Sequence, residues 1–399
     1  MSNPHQPVPQ THWLEVLILW LAGVSAAMQF AKFSISYNGL LDFYQAGPTL
    51  TGAAISLVGV VGLIFGVTAG MLAGRIGYRK VLIGALVLGA ALSFTQSLLP
   101  SFELILITRL LEGFSQLGVV VAAPTMIAKL SAPQHRSITM GLWGTFFGVA
   151  FAISGFAGKS ILNQYNLSGL YLAHGLFIAS MAVILLLLLK NDESRYGDTP
   201  EKDGVGYFKK LGQIYSTPRT VLPGIVFLFY TCTLVSLLTY IPNFIASESL
   251  RTSMQVILPL MSTAGTFIAG ALSQYLMRPQ RVAQLAYLGL AAGALLLSQF
   301  KESSLLFTII VSQMVLCAGL IPGAALSMIP KLARNSQEQA NGYGLLAQMG
   351  NLGATIGPPS FATVIALFGI YGLVGLVLVI CTLGSIAALV ANHVKAQAS

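Results

Sequence analysis

Of the 12 acidic residues, only Glu112 lies well inside a long apolar run. Arg109 precedes it by three positions, in the string RLLEGFSQLG. On a helix that spacing puts both side chains on one face, so the two can pair. A charge at membrane depth costs at least about 2.5 kcal/mol, so such groups face a protein or water-filled interior. Two chemistries are open to this pair. The carboxyl can carry a proton, or the ion pair can lock its helix to a neighbour, and a pair that breaks on protonation does both. A second cation, Lys32, stands in AAMQFAKFS with Gln29 one turn before it. Lys32 either lines a polar interior or snorkels to the surface. Counted at ~1.5 Å per residue, Arg109 sits roughly 10 Å from one end of its run, Glu112 near the middle, and Lys32 near the depth of Arg109.

Other chemistries lack their residues. There is no glycine-rich phosphate loop ending in Lys-Ser/Thr, so ATP is not expected to drive the process. The three cysteines, Cys232, Cys317 and Cys381, have no metal-type spacing, and no His/Glu cluster accompanies them. Neither a metal nor any other cofactor is expected. Nearly all serines fall in apolar runs, which argues against a Ser-His-Asp hydrolase, so the chain does not read as an enzyme. The remaining intramembrane polar residues are uncharged: Tyr230, Thr231 and Tyr240, then Gln313, then Gln348 and Asn351. Each alone reads as packing, and only the set suggests a polar surface. His174 reads as a satisfied histidine between helices.

The elements that must hold these residues follow from composition. Hydrophobic residues make up 55% of the 399, charged residues 8%, and mean hydropathy is +0.78. Soluble domains carry about 25% charged residues, so this is a polytopic membrane protein. The net charge of +9 does not indicate nucleic acid, because the cations sit singly or in small groups beside apolar runs. A span needs about 20 apolar residues. By that rule runs lie near 13–36, 50–73, 81–98, 102–128, 137–158 and 169–189, then near 221–246, 254–276, 282–299, 304–329, 338–366 and 369–391.

Residues 190–220 are too polar and short for a core of their own and read as a linker between halves 1–189 and 221–399. The halves echo each other. Ala69-Gly70 and Leu72 recur as Ala269-Gly270 and Leu272, and Ile127, Lys129 and Leu130 recur as Ile329, Lys331 and Leu332. Placing both termini in the cytoplasm leaves only Lys159, Arg251 and Lys301 of the 21 cations outside, with Lys32 and Arg109 within spans. Short loops favour a bacterial inner membrane.

The second and third runs are joined by GMLAGRIGYRK, Gly70 to Lys80. Glycines let two helices approach closely, and Arg75, Arg79 and Lys80 keep the turn cytoplasmic. The string resembles the signature loop of the major facilitator superfamily at Gly70, Leu72, Arg75, Gly77 and Arg79-Lys80; Gly74 stands where the family usually has an acid. Arg109 and Gly113 likewise resemble the family's fourth-helix motif. The resemblance implies an all-α membrane protein with twelve transmembrane helices in two pseudo-symmetric six-helix bundles, opening alternately to each side. It implies gating by Gly70, Arg75, Gly77, Arg79 and Lys80, and proton coupling through Arg109 with Glu112. In that fold the first and fourth helices line a central cavity, which implies that Gln29, Lys32 and Arg109 meet a carboxylate or phosphate group while Tyr230, Gln313 and Gln348 offer aromatic and amide surface.

The reading that follows is proton-coupled efflux of a small organic molecule such as an organic anion, siderophore or drug, by a monomer in the lipid bilayer. The alternative is proton-coupled uptake of an organic anion through the same residues. A non-transporting membrane receptor is a third reading, from another class. The fifth run has Gly148, Gly155 and Gly158 but lacks the glycine-proline pair of many drug–proton antiporters in the family; Gly357-Pro358 stands on the symmetry-related eleventh run instead. Pro322, Pro330, Pro358 and Pro359 mark places where late helices can bend.

Overall fold

In the computed structural model the described residues are 10–132, 135, 139, 142–191, 212, 214–300, 304–334 and 336–394. Side chains are not described at 67, 70, 71, 74, 75, 336, 337, 339 and 340. Most of the expected linker therefore lies outside the described residues, as does the Arg75 side chain of the expected gate.

Nine described helices are long and apolar enough to cross a membrane, or ten with one bent pair. Two of them each hold two spans joined at a sharp break, giving the twelve of the family fold. Span 1 is Trp13–Ile35. Span 2 is Pro48–Ser56 followed by Val58–Ile76, with a bend of 49° between them. Spans 3 and 4 are Tyr78–Ser97 and Phe102–Leu130. Span 5 runs through Phe146–Ile153 and a π-helical turn, Ser154–Gly158, into Lys159–Leu188, where Asn166 at φ 59° separates it from span 6. The second half holds Pro218–Tyr240, Glu248–Tyr275, Pro279–Gln299 and Ser304–Leu332 as spans 7 to 10. Ser336–His393 holds spans 11 and 12, divided at Gly369 with φ 56°.

Local chemistry sets these ends. Prolines open span 2 and spans 7 and 9 near the first helical position, where the missing N–H is not needed. Ser101 and Ser247 accept the free N–H of Leu104 and Leu250 at the starts of spans 4 and 8. Asparagine and glycine occupy the two left-handed breaks because they tolerate positive φ best. The structure differs from the sequence expectation in three places. Span 5 continues past 158 as far as the break at Asn166, span 2 is bent, and a short helix, Tyr37–Tyr44, follows span 1.

Within the first half span 1 packs on spans 4 and 6, span 3 on 4 and 6, and span 2 on 4. In the second half span 7 packs on spans 10 and 11, span 8 on 10, and span 9 on 10 and 12. The halves meet through span 2 on span 11, span 5 on span 8 and span 1 on span 7. Small residues make the first of these close: a Cβ on Gly59 would stand 2.5 Å from the Thr355 hydroxyl and 3.0 Å from the Asn351 carbonyl.

The bundle end away from the termini is sealed across the halves. Ser34 and Thr239 share a hydrogen bond of 2.5 Å, Asn38 donates to Asn243 at 2.8 Å, and Thr49 meets Thr363 at 2.8 Å. Tyr37 and Tyr240 stack edge to face with ring centres 5.0 Å apart.

Candidate functional site

The structure gathers the intramembrane charges inside the first half. Glu112 on span 4 lies between two cations. Its Oε1 accepts from Lys32 Nζ at 2.7 Å, and its Oε2 accepts from the Arg109 guanidinium. The relative exposures of Lys32, Arg109 and Glu112 are 1%, 0% and 0%. Lys32 thus does not snorkel: in this conformation it and Arg109 are bonded within the bundle rather than open to the passage between the halves.

The hydrogen-bond inventory closes around Lys32. Its ammonium has three protons, and acceptors stand at Ser93 Oγ (2.8 Å), Gln96 Oε1 (2.7 Å) and Glu112 Oε1. His174 Nδ1 lies 3.2 Å from Lys32 Nζ and 2.8 Å from Ser93 Oγ, and the Ser93 hydroxyl also stands 3.4 Å from Glu112 Oε1. The other ring nitrogen, Nε2, faces the Ser25 carbonyl at 2.9 Å, which can only accept. That assigns the proton to Nε2 and makes His174 neutral within the network. Sequence reasoning expected a satisfied histidine here but not its partners.

Arg109 does more than pair with Glu112. Its Nε donates to the Ala54 carbonyl at 2.6 Å and a terminal nitrogen donates to the Ile55 carbonyl at 2.8 Å. These carbonyls end the first segment of span 2, where the bend leaves them without helical partners. A guanidinium at the negative end of that segment is also favoured by its dipole. Phe33 covers the other side, 4.1 Å from the guanidinium carbon to the ring centre. One planar cation therefore joins the acid on span 4 to the bend of span 2.

The remaining expected residues scatter. Gln29 is buried and donates to Ser115 on span 4 at 2.9 Å, close to the ion cluster. Gln313 turns toward span 9, donating to the Gly289 carbonyl at 3.1 Å. Tyr240 donates to the Pro358 carbonyl within its own half at 2.8 Å. Gln348 bridges the halves: its amide donates to the Leu63 carbonyl on span 2, and its oxygen accepts from Tyr215. Tyr230 lines a chamber of about 30 Å³ between the halves with Phe147, Gly148, Ser262 and Thr263.

At the loop of the expected gate, Gly77 has φ 107°, a conformation that glycine adopts without strain. Arg79 closes over the end of span 6, donating to the carbonyls of Leu186 (3.1 Å) and Leu189 (3.2 Å) and to Asn191 Oδ1 (3.3 Å). Lys80 is exposed.

Comparison with known proteins fits this geometry. A 3-(3-hydroxy-phenyl)propionate transporter of Escherichia coli K12 is 24% identical, over 89% of this chain and 87% of its own. A 4-hydroxybenzoate transporter of Pseudomonas putida is 22% identical, over 91% and 88%. The crystal structure of a bacterial homologue of the human lysosomal transporter Spinster, inward-facing and occupied, superposes with a TM-score of 0.77 at 13% identity, covering 99% of this chain and 98% of that one. The family model described as Major Facilitator Superfamily matches residues 19–358. With that span matched and the twelve-helix fold in place, the chain belongs to the Major Facilitator Superfamily, and it is a multi-pass membrane transporter of a small organic molecule rather than an enzyme.

Proposed function

We propose that the chain imports a small aromatic carboxylate together with a proton, by alternating access across a bacterial inner membrane. The observation that carries this reading is the placement of Glu112, an acid held by Lys32 and by Arg109, which also holds the bend of span 2. Protonating Glu112 removes the counter-charge of two buried cations. Arg109 is then free to shift, and the carbonyls of Ala54 and Ile55 lose their donor. Span 2 packs directly on span 11, so that loosening reaches the seal between the halves.

The substrate class comes from the two relatives named for aromatic acids. Its passage runs between half 1–189 and half 221–399, joined by the linker 190–220. Tyr230, Phe147, Ser262 and Thr263 would meet the ring and its hydroxyl, and Gln348 stands at the neighbouring contact of spans 2 and 11. Lys32, Arg109 and Gln29 would receive the carboxylate once Glu112 is neutral. Gly77 would act as the pivot of the Gly70–Lys80 gate, and Arg79 would anchor it to span 6. One chain holds the whole passage, so the working unit is a monomer. The distribution of cations puts both termini in the cytoplasm, and the sealed end then faces outward.

Import replaces export as the first reading. Span 5 lacks the glycine-proline pair of many drug–proton antiporters, which weighs against antiport, and the relatives named for aromatic acids favour the alternative of uptake. An anion entering alone against a negative interior meets about 2.3 kcal/mol per charge per 100 mV. One proton travelling with it cancels that charge.

The test is uptake of radiolabelled 4-hydroxybenzoate into proteoliposomes with an alkaline interior. Accumulation that collapses with a protonophore is expected. If no aromatic acid accumulates or exchanges under any gradient, the aromatic-carboxylate reading falls.

A further inference from the structure

A groove of about 790 Å³ opens on the sealed end of the first half, away from the contact between the halves. Its wall is made by Gly39, Asp42 and Phe43 after span 1, by Leu99 between spans 3 and 4, and by the end of span 5 with the break into span 6, where Lys159, Asn163, Asn166 and Leu167 line it. Asp42, Lys159, Asn163 and Asn166 give it a polar lining, so it holds water. We infer that this groove is an outer antechamber through which protons reach Glu112, separate from the path of the substrate. The inference rests on the proton-coupled reading above and names the route it uses.

Two helical stripes lead inward from the groove. On the first chain segment the residues in order are Asp42 at the mouth, Gly39 on the floor, Ser36 one turn deeper and Lys32 one turn deeper again. On span 6 they are Leu167 on the floor, then Tyr171, then His174. The stripes meet: Ser36 Oγ and Tyr171 Oη lie 3.2 Å apart, and Ser36 donates to the Lys32 carbonyl at 2.7 Å. Beyond them lies the ion cluster. The groups that face the Glu112 carboxyl there are Lys32 from span 1, Arg109 from its own span, Ser93 from span 3 and His174 from span 6, with Tyr171 one turn outward.

Part of the cluster faces this side of the bundle. Ser93, Gln96 and His174 belong to spans 3 and 6, which pack within the first half, whereas the halves meet through spans 1, 2 and 5. Leu99 and Leu167 line the groove, and Leu167 stands one helical turn before Tyr171 on span 6. Leu99 holds φ at 49° and Asn166 at 59°, two of the three positive-φ residues other than glycine among those described. A bulky leucine in the left-handed region costs of order 1–3 kcal/mol, the kind of strain that marks a movable element. When these two leucines part, water from the groove reaches the cluster, and a hydronium ion within hydrogen-bond reach gives its proton to the Glu112 carboxylate. The products are a neutral carboxyl and one water.

A plug in the groove tests this. A Cβ on Gly39 would lie 3.4 Å from a Leu167 methyl, so Gly39→Cys fits the floor with little shift. Proteoliposomes with the groove face outward are treated with a charged, membrane-impermeant methanethiosulfonate, and labelling is verified by mass. Wild type, with Cys232 and Cys381 buried and Cys317 partly so, is the control. The expected result is at least a tenfold loss of pH-driven 4-hydroxybenzoate uptake, with counterflow exchange kept within twofold. Asn163→Cys on the wall gives the same readout should Gly39→Cys not reach the membrane. Full pH-driven uptake after complete labelling overturns the antechamber, and so does equal loss of uptake and exchange, which would make the groove part of the substrate path. Absence of pH-driven uptake in wild type that still exchanges substrate removes the proton-coupled reading beneath it and the antechamber together.

Discussion

The guanidinium of Arg109 closes on the main-chain carbonyl of Ala54 at 2.6 Å, and the same group holds Glu112. A side chain from span 4 is thus the missing hydrogen-bond donor of the span 2 bend. Lysine cannot substitute for this fork. Its ammonium is one point charge and cannot reach an acid and two carbonyls in a plane.

Arg109→Lys is expected to keep the fold while weakening coupling between pH and transport at least tenfold. Arg109→Ala leaves Glu112 with one cation and the Ala54 and Ile55 carbonyls bare, which costs about 3–5 kcal/mol when a buried charge loses its partner. Thermal unfolding in detergent should rank wild type, Arg109→Lys and Arg109→Ala in that order of decreasing Tm. Equal melting of all three would show that the bend does not depend on the guanidinium.

Glu112→Gln removes the group that takes the proton. Uptake driven by a pH gradient should vanish, while counterflow exchange, which needs no net proton movement, persists. The variant also leaves Lys32 and Arg109 without a counter-charge, so loss of folding must be separated from loss of coupling. The double variant Lys32→Met with Glu112→Gln restores a single net positive charge to the site. It should melt nearer to wild type and still lack pH-driven uptake. Retention of full pH-driven uptake by Glu112→Gln would move proton coupling to another group.

How much of this was legible beforehand varies residue by residue. The pairing of Arg109 with Glu112 follows from three-residue spacing on any helix. The depth of Lys32 and its place beside Arg109 around one cavity were expected, but its bond to Glu112 was not readable from apolar periodicity. In lipid the outward face is as apolar as the packed face, so periodicity gives no rotation about the helix axis. For the same reason Gln313 was expected toward the passage, whereas it turns to span 9. Ser93, Gln96 and His174 come from spans distant in sequence and join only through tertiary packing. The bend of span 2 has no proline within it; Gly52 and Gly59 flank it, but glycines are common in membrane helices for close packing alone. Asn166 and Gly369 were more readable as breaks, being residue types that accept positive φ.

Asn38 and Asn243 meet across the halves at the sealed end, with 2.8 Å between their amide groups. Cysteines at both positions should cross-link through a short bifunctional maleimide or by oxidation. A link there forbids the end from opening, so uptake should fall to background and return when a disulfide is reduced. The single variants should be unaffected. Transport that continues at full rate in the cross-linked protein would mean that the halves do not part at this contact.

At the opposite end a second ion pair ties span 7 to the start of span 11. Arg219 Nε donates to Glu338 at 2.9 Å, and the main-chain N–H of Arg334 donates to its other oxygen at 2.6 Å. Partial burial pushes the Glu338 carboxyl up, but these donors and the Arg219 charge outweigh it and hold the carboxyl below its ordinary value of 4.5. A carboxyl whose folded value is depressed adds stability that is complete above the unfolded value. That stability is lost as pH falls through the folded value. The pair is partly exposed, so solvent screening limits it to about 0–1 kcal/mol. Glu338→Gln should therefore melt slightly below wild type at pH 7. The gap should close as the pH is lowered past 4.5, and high salt should shrink it at neutral pH. A gap that stays constant from neutral to strongly acidic pH would mean that Glu338 acts through packing rather than through charge.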